Sequence, residues 1–168
     1  MNKVFGEITL YAPIRIHGKR TIVSYDFQEV GDGVNATWNE LYYSQREKVY
    51  PAFEKVKNDI IADINAKTDE KILSGFVWNN KPVWLSSENQ FNFKAAYDLA
   101  VQTVGQSLPV KFKLGEDEEG NPIYHTFETL ADLQDFYTKA IAYINQCLND
   151  GWQLKDSIDW NDYKITEA

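Results

Sequence analysis

The chain has little of what most chemical sites are built from. Its 168 residues hold one cysteine and two histidines. A single thiol closes no intrachain disulfide, which excludes a disulfide-built secreted scaffold. Cys147 falls on the apolar face of an expected helix and reads as a small buried hydrophobe. No apolar run approaches the ~20 residues of a membrane span, so no membrane insertion is expected. The start, Met1 to Glu7, carries an acid and no apolar h-region and does not read as a signal peptide. Positive charge is also in short supply. Lys and Arg number 17 against 25 Asp and Glu, a formal net charge of −8 and a pI of about 4.8. Nucleic-acid binders concentrate Lys and Arg, so no nucleic-acid partner is expected.

Motifs are as sparse as the composition suggests. His17 sits at a turn and His125 in a strand, and neither lies in a nucleophile elbow or a Cys–His signature. Two widely spaced His and one Cys are poor material for a closed zinc site. The acids Glu116, Asp117, Glu118 and Glu119 are consecutive, and Thr126 stands where a calcium loop needs its terminal Glu. They read as a solvated hairpin tip that keeps strand edges apart. Gly31-Asp32-Gly33 lacks the strand–turn–helix context of a dinucleotide site. Residues 115–135 contain seven acids and no Lys or Arg, a field that repels phosphates. No catalytic residue, metal ligand or cofactor is expected, and the reading is non-enzymatic.

Apolar and aromatic residues, in contrast, are plentiful: 43% and 14% of the chain. That excludes disorder as the main state. A chain of this mass buries about 70% of its unfolded surface, enough for a core without metals or disulfides.

The pattern along the chain gives an α+β fold. Residues 1–48 read as an antiparallel β meander of three or four strands. Val4 to Tyr11 is β-rich, Pro13 bends it, and Thr21 to Phe27 alternates with Val23, Tyr25 and Phe27 on one face. Thr37 to Ser44 carries aromatics on both faces, which implies some cover on each. The period changes at Pro51. Phe53, Val56, Ile60 and Ile64 then mark a connecting amphipathic helix over 51–74, closed by Ile72 and Leu73, with Gly75 as its C′ residue. Lys55, Asp59, Asp63 and Lys67 fall largely on the other side. Ile60 and Ile64 are expected to face the C-terminal units.

Two β-hairpin–helix units follow. In the first, Phe76-Val77-Trp78 and Pro82 to Leu85 flank Asn79-Asn80-Lys81. Its helix opens with Ser87 as N-cap and Gln90 three residues on, and carries Phe91, Ala95, Leu99 and Val104. In the second, Pro109 to Leu114 and Ile123 to Phe127 flank the acidic tip. Its helix opens at Thr129, with Asp132 three residues on, and ends at Gly151. Trp152 to Trp160 reads as a last turn or helix, and 164–168 as a loose tail. The division expected is 1–48, an N-terminal β region suited to attachment, then 49–163, an α+β domain. Trp78 and Trp84, with the amides of Asn79 and Asn80, form the one candidate site: core or interface residues, or a contact for a glycan ring.

From about Ile64 to Trp160 the chain resembles a bacteriophage and prophage domain of unknown function. Three segments carry the likeness: Ile64 to Phe76, Glu88 to Tyr97, and Ala142 to Trp152, joined by the hairpin through Trp78 and Trp84. Gly75-Phe76-Val77-Trp78 with Glu88-Asn89-Gln90-Phe91 is similar to the form in phages of gut Bacteroidales. The resemblance implies a tail- or fibre-associated protein, made in the bacterial host cytoplasm and incorporated in the virion. The first 48 residues lie outside it and do not read as a fibre shaft, so a full tail fibre is not expected. The partners implied are other phage tail or fibre proteins, with a homo-oligomer and a host surface glycan left open. A tail-fibre assembly factor absent from the particle, or a glycan-binding host-recognition module, is the alternative. No assigned activity accompanies the resemblance, so no catalytic residues carry over.

Overall fold

A computed structural model describes residues 2–44 and 50–164. The fold is α+β, with antiparallel sheets and three α-helices. Its contacts group into two compact units: Met1–Asn65 with Trp152–Ala168, and Ala66–Gly151. The expected loose tail lies outside the described residues from position 165 onward.

The first unit is built on a four-stranded sheet. Its strands are β1 (Asn2–Glu7), β2 (Ile14–His17), β3 (Arg20–Glu29) and β4 (Asn35–Ser44), in the order β1-β4-β3-β2. β2, β3 and β4 form the expected meander. β1 then pairs with β4, not with its sequence neighbour, which leaves β1 and β2 as the edges. Residues Ile8–Leu10 make a 3₁₀ turn, so the first strand ends before Tyr11. Val23, Tyr25 and Leu41 sit on one face and pack on Val56, Ile60 and Ile64 of helix α1 (Phe53–Ser74). Ile60 and Ile64 therefore face the sheet of their own unit, a correction to the sequence expectation. Tyr163, from a closing 3₁₀ turn at Trp160–Tyr163, completes this core and donates a 2.9 Å hydrogen bond to the Ser24 carbonyl.

A register shift between Tyr25 and Gln28, with Asp26 at φ 59°, breaks the alternation of β3. Such a bulge re-aims side chains. Phe27 packs on Tyr11, which in turn packs on Trp38, and does not join Val23 and Tyr25 in their core. Asp63 also departs from the sequence pattern. It is buried, where it accepts a hydrogen bond from the Tyr25 hydroxyl. An acid is tolerated in a core only when it is paired in this way.

The second unit holds two hairpins, the end of α1, one whole helix and a last helix up to Gly151. β5 (Phe76–Trp78) pairs with β6 (Lys81–Val83), and β7 (Val110–Glu116) with β8 (Pro122–Phe127). Helix α2 spans Ser87–Gln102 and α3 spans Leu130–Ser157. Their core centres on Phe76, Trp78, Phe93, Phe127 and Phe136, whose rings contact one another at 4.9–6.3 Å between centroids. Cys147 is buried there, as its spacing implied.

Three local expectations change. The N-cap of α2 is Ser86, not Ser87: its hydroxyl accepts from the Asn89 amide at 3.2 Å. Gly151 does not end α3, which runs on to Ser157. Its lack of a side chain lets α1 approach, since a Cβ there would lie 2.6 Å from Thr68 Oγ1. Gly75 follows α1 as expected but without a left-handed φ. A Cβ there would collide with the Tyr143 hydroxyl, which donates to the Lys71 carbonyl at 2.9 Å.

Candidate functional site

The hairpin β5–β6 is closed by Asn79 and Asn80, both with positive φ, 47° and 59°. Two such residues form the tight turn whose twist matches that of the strands, and Asn tolerates the left-handed region better than most residues. Trp78 then stands directly opposite Lys81, and Phe76 opposite Val83. Directly opposed residues share a face, and in this hairpin it is the inward one.

Trp78 is consequently a core residue. It is buried, its rings lie against Phe127, Phe136 and His125, and its indole N–H donates to Asp135 at 3.0 Å. Trp84 points the other way and is 37% exposed. Lys113 lies 5.2 Å from its ring centroid, and its backbone N–H bonds to the Leu114 carbonyl at 2.7 Å. Asn79 and Asn80 are exposed at the tip. The four candidate residues thus divide. Asn79, Asn80 and Trp84 are exposed, while Trp78 holds the hairpin to the core.

Behind Trp78 lies a polar chain that sequence spacing does not reveal. Lys81 Nζ is 3.1 Å from His125 Nδ1, and His125 Nε2 is 3.1 Å from Asp132. An ammonium only donates, so Nδ1 accepts, and the ring proton on Nε2 donates to the carboxylate. Both ring nitrogens of His125 are thereby engaged. Asp132 and Asp135 both come from the first turns of α3. Hydrogen bonds from Lys139 first, and from the Trp78 indole second, hold the Asp135 carboxyl below the usual carboxylate range. Thr129 caps α3 through a 3.2 Å bond from the Asp132 amide, as its position implied. The Asp132 carboxylate turns instead to His125. The bonds tie the hairpin, from Lys81 through His125, to a helix start.

The acidic tip is also ordered by its own bonds. Asp117 accepts from the backbone amides of Glu119 and Asn121 at 3.1 and 2.7 Å, and these with the Asn121 side chain lower its pKa, the Asn121 amide contributing most. Among the described residues, no group of three or more His, Cys, Asp or Glu is placed to hold a metal ion. Nor is any helix among them long and apolar enough to cross a membrane.

A different set of exposed residues escapes a sequence reading focused on Trp. In the first unit, Phe5, Leu10, Val30 and Val34 are all more than half exposed. They gather at one end of the sheet: Ile8 N–H bonds to the Val34 carbonyl at 2.9 Å, and Val30 N–H to the Asn35 carbonyl at 3.0 Å. Phe5 belongs to β1, whose outer edge pairs with no other strand among the described residues.

These features define a small α+β protein with exposed apolar side chains and a histidine bonded at both ring nitrogens. Over residues 55–168 the chain matches the family model described as Domain of unknown function (DUF4376), and it belongs to that family. No curated protein and no solved structure matches it.

Proposed function

We propose that this protein is a non-enzymatic, tail- or fibre-associated component of a bacteriophage particle and works through protein–protein contacts. The resemblance of residues 64–160 to a phage and prophage domain supplies the biological setting. The observation that carries the mode of action is the open β1 edge, bordered by Phe5, Leu10, Val30 and Val34. An unpaired edge beside exposed apolar side chains suits addition of a partner's strand, with backbone bonds giving affinity and side-chain pockets giving selectivity. Charge does not oppose it: residues 1–48 contain six basic and six acidic residues, so the chain's net −8 resides in the remainder.

Mass spectrometry of purified virions tests the proposal. The protein is expected in the particle at a fixed ratio to another tail subunit. Its absence from particles, with recovery from infected-cell lysate bound to a fibre protein, would replace this reading with that of an assembly factor. Host-glycan recognition is the second reading, resting on exposed Trp84, Asn79 and Asn80. It requires glycan-array binding that Trp84→Ala abolishes.

A further inference from the structure

Helix α2 presents its most regular apolar series to solvent. Phe91, Ala95 and Leu99 recur every four residues, so they line one stripe of the helix. Phe93 and Ala100, on the opposite side, enter the core. Phe91 is 72% exposed and Leu99 about half, while Val104, in the turn just beyond the helix, is 84% exposed. A helix face of this kind normally lies against something.

We propose that the occupant is α2 of a second copy of this chain, packed antiparallel about a twofold axis through Ala95. The spacing is self-complementary. In an antiparallel pair centred on residue 95, Phe91 meets the partner's Leu99 and Leu99 meets the partner's Phe91. The small Ala95 at the crossing allows the helix axes to approach to about 8 Å, the near end of the usual range. A twofold contact requires such a patch, in which the same residues serve both sides.

Charge leaves this surface open to a second copy. The net −8 lies beyond residue 48, so acidic segments such as residues 115–135 repel their counterparts. From Asn89 to Val110 the only charged residues are Lys94 and Asp98, and they form an ion pair at 2.6 Å on the helix itself. In the antiparallel register Glu88 faces the partner's Gln102, and Asp98 faces the partner's Asn92. No like charges meet at these positions. The stripe supplies the apolar centre of the contact and its uncharged polar flanks the rim.

Sedimentation of the full chain decides the matter. A species of twice 19.4 kDa is expected at micromolar concentrations, converted to the single chain by Ala95→Glu. That exposed substitution is expected to leave the thermal unfolding of the isolated chain intact. The register has its own test. Ala95→Cys is expected to oxidise to a covalent dimer within minutes, while Val77→Cys, exposed on the hairpin, stays single. A monomeric wild-type chain overturns the proposal. So does a dimer that survives Ala95→Glu, or equal cross-linking by the two cysteine variants.

Discussion

Trp78 and Trp84 stand six positions apart and both bear an indole, yet the hairpin turn sends them to opposite sides. A two-residue turn pairs position 78 with 81, so even positions on β5 share a face with odd positions on β6. Sequence shows two tryptophans flanking a polar pair; only the turn length separates their roles. The account predicts that Trp78→Ala costs about 3–5 kcal/mol, the range for truncating a buried aromatic. Trp84→Ala should stay within about 1 kcal/mol. Denaturant unfolding of both variants measures the difference, and equal losses would refute the assignment. Glu40 offers a second residue-scale check. Burial alone would raise its pKa, but hydrogen bonds from Tyr42 and Trp38, with the Arg15 guanidinium, hold it below the ordinary glutamate value. A depressed carboxyl stabilises the fold above its unfolded pKa and loses that contribution as pH falls through the folded value. Glu40→Gln should therefore lower the unfolding temperature at neutral pH and flatten its decline in acid. Parallel acid profiles for the two proteins would contradict this. Trp38 and Tyr42 share a strand face with Glu40 and are legible in the alternation, whereas Arg15 reaches it only through the pairing of three strands.

At the scale of elements, helix periods were plain in the sequence but their orientation was not. Phe53, Val56, Ile60 and Ile64 announce α1, yet spacing does not say which surface will meet that stripe. It meets the N-terminal sheet through Val23, Tyr25 and Leu41. Ile60→Ala and Ile64→Ala should each cost about 2–5 kcal/mol. Hydrogen exchange should rise in β3 and β4 before it rises in β7 and β8; the reverse order would contradict the packing. In α2 the same spacing misleads, since Phe91, Ala95 and Leu99 face outward while the less regular Phe93, Tyr97 and Ala100 face the core. The end of α3 was hidden for a different reason. Gly151 is a stop signal by propensity, but close approach to Thr68 gives glycine a use inside the helix. Alanine is favoured over glycine there by about 1 kcal/mol on propensity alone. Gly151→Ala should nonetheless destabilise the protein, by about 1–3 kcal/mol, as overpacking does. The loss should shrink in a Thr68→Ala background. Stabilisation by Gly151→Ala alone would show that the helices can separate at no cost.

Across the whole molecule, sequence gave access to the class of fold and withheld how contacts are shared. The α+β order, the antiparallel pairing and the two hairpin–helix successions follow from period changes at Pro51, Gly75 and Thr129. The sequence divides at residue 48, where strand gives way to helix. The contacts group α1 up to Asn65, and the chain from Trp152, with the sheet. Backbone pattern reports local conformation, whereas this grouping depends on side chains that meet across more than a hundred residues, as Tyr163 meets Ser24. The open β1 edge was equally invisible, since it arises because β1 pairs with β4 and not with β2. That edge is central to the proposed role, and cross-linking mass spectrometry on intact virions tests it most directly. Lys3 and Lys19, both exposed on the sheet unit, should cross-link to another tail or fibre subunit. Cross-links to other subunits only from Lys94, Lys111 or Lys139 of the second unit, with none from Lys3 or Lys19, would contradict attachment through the sheet.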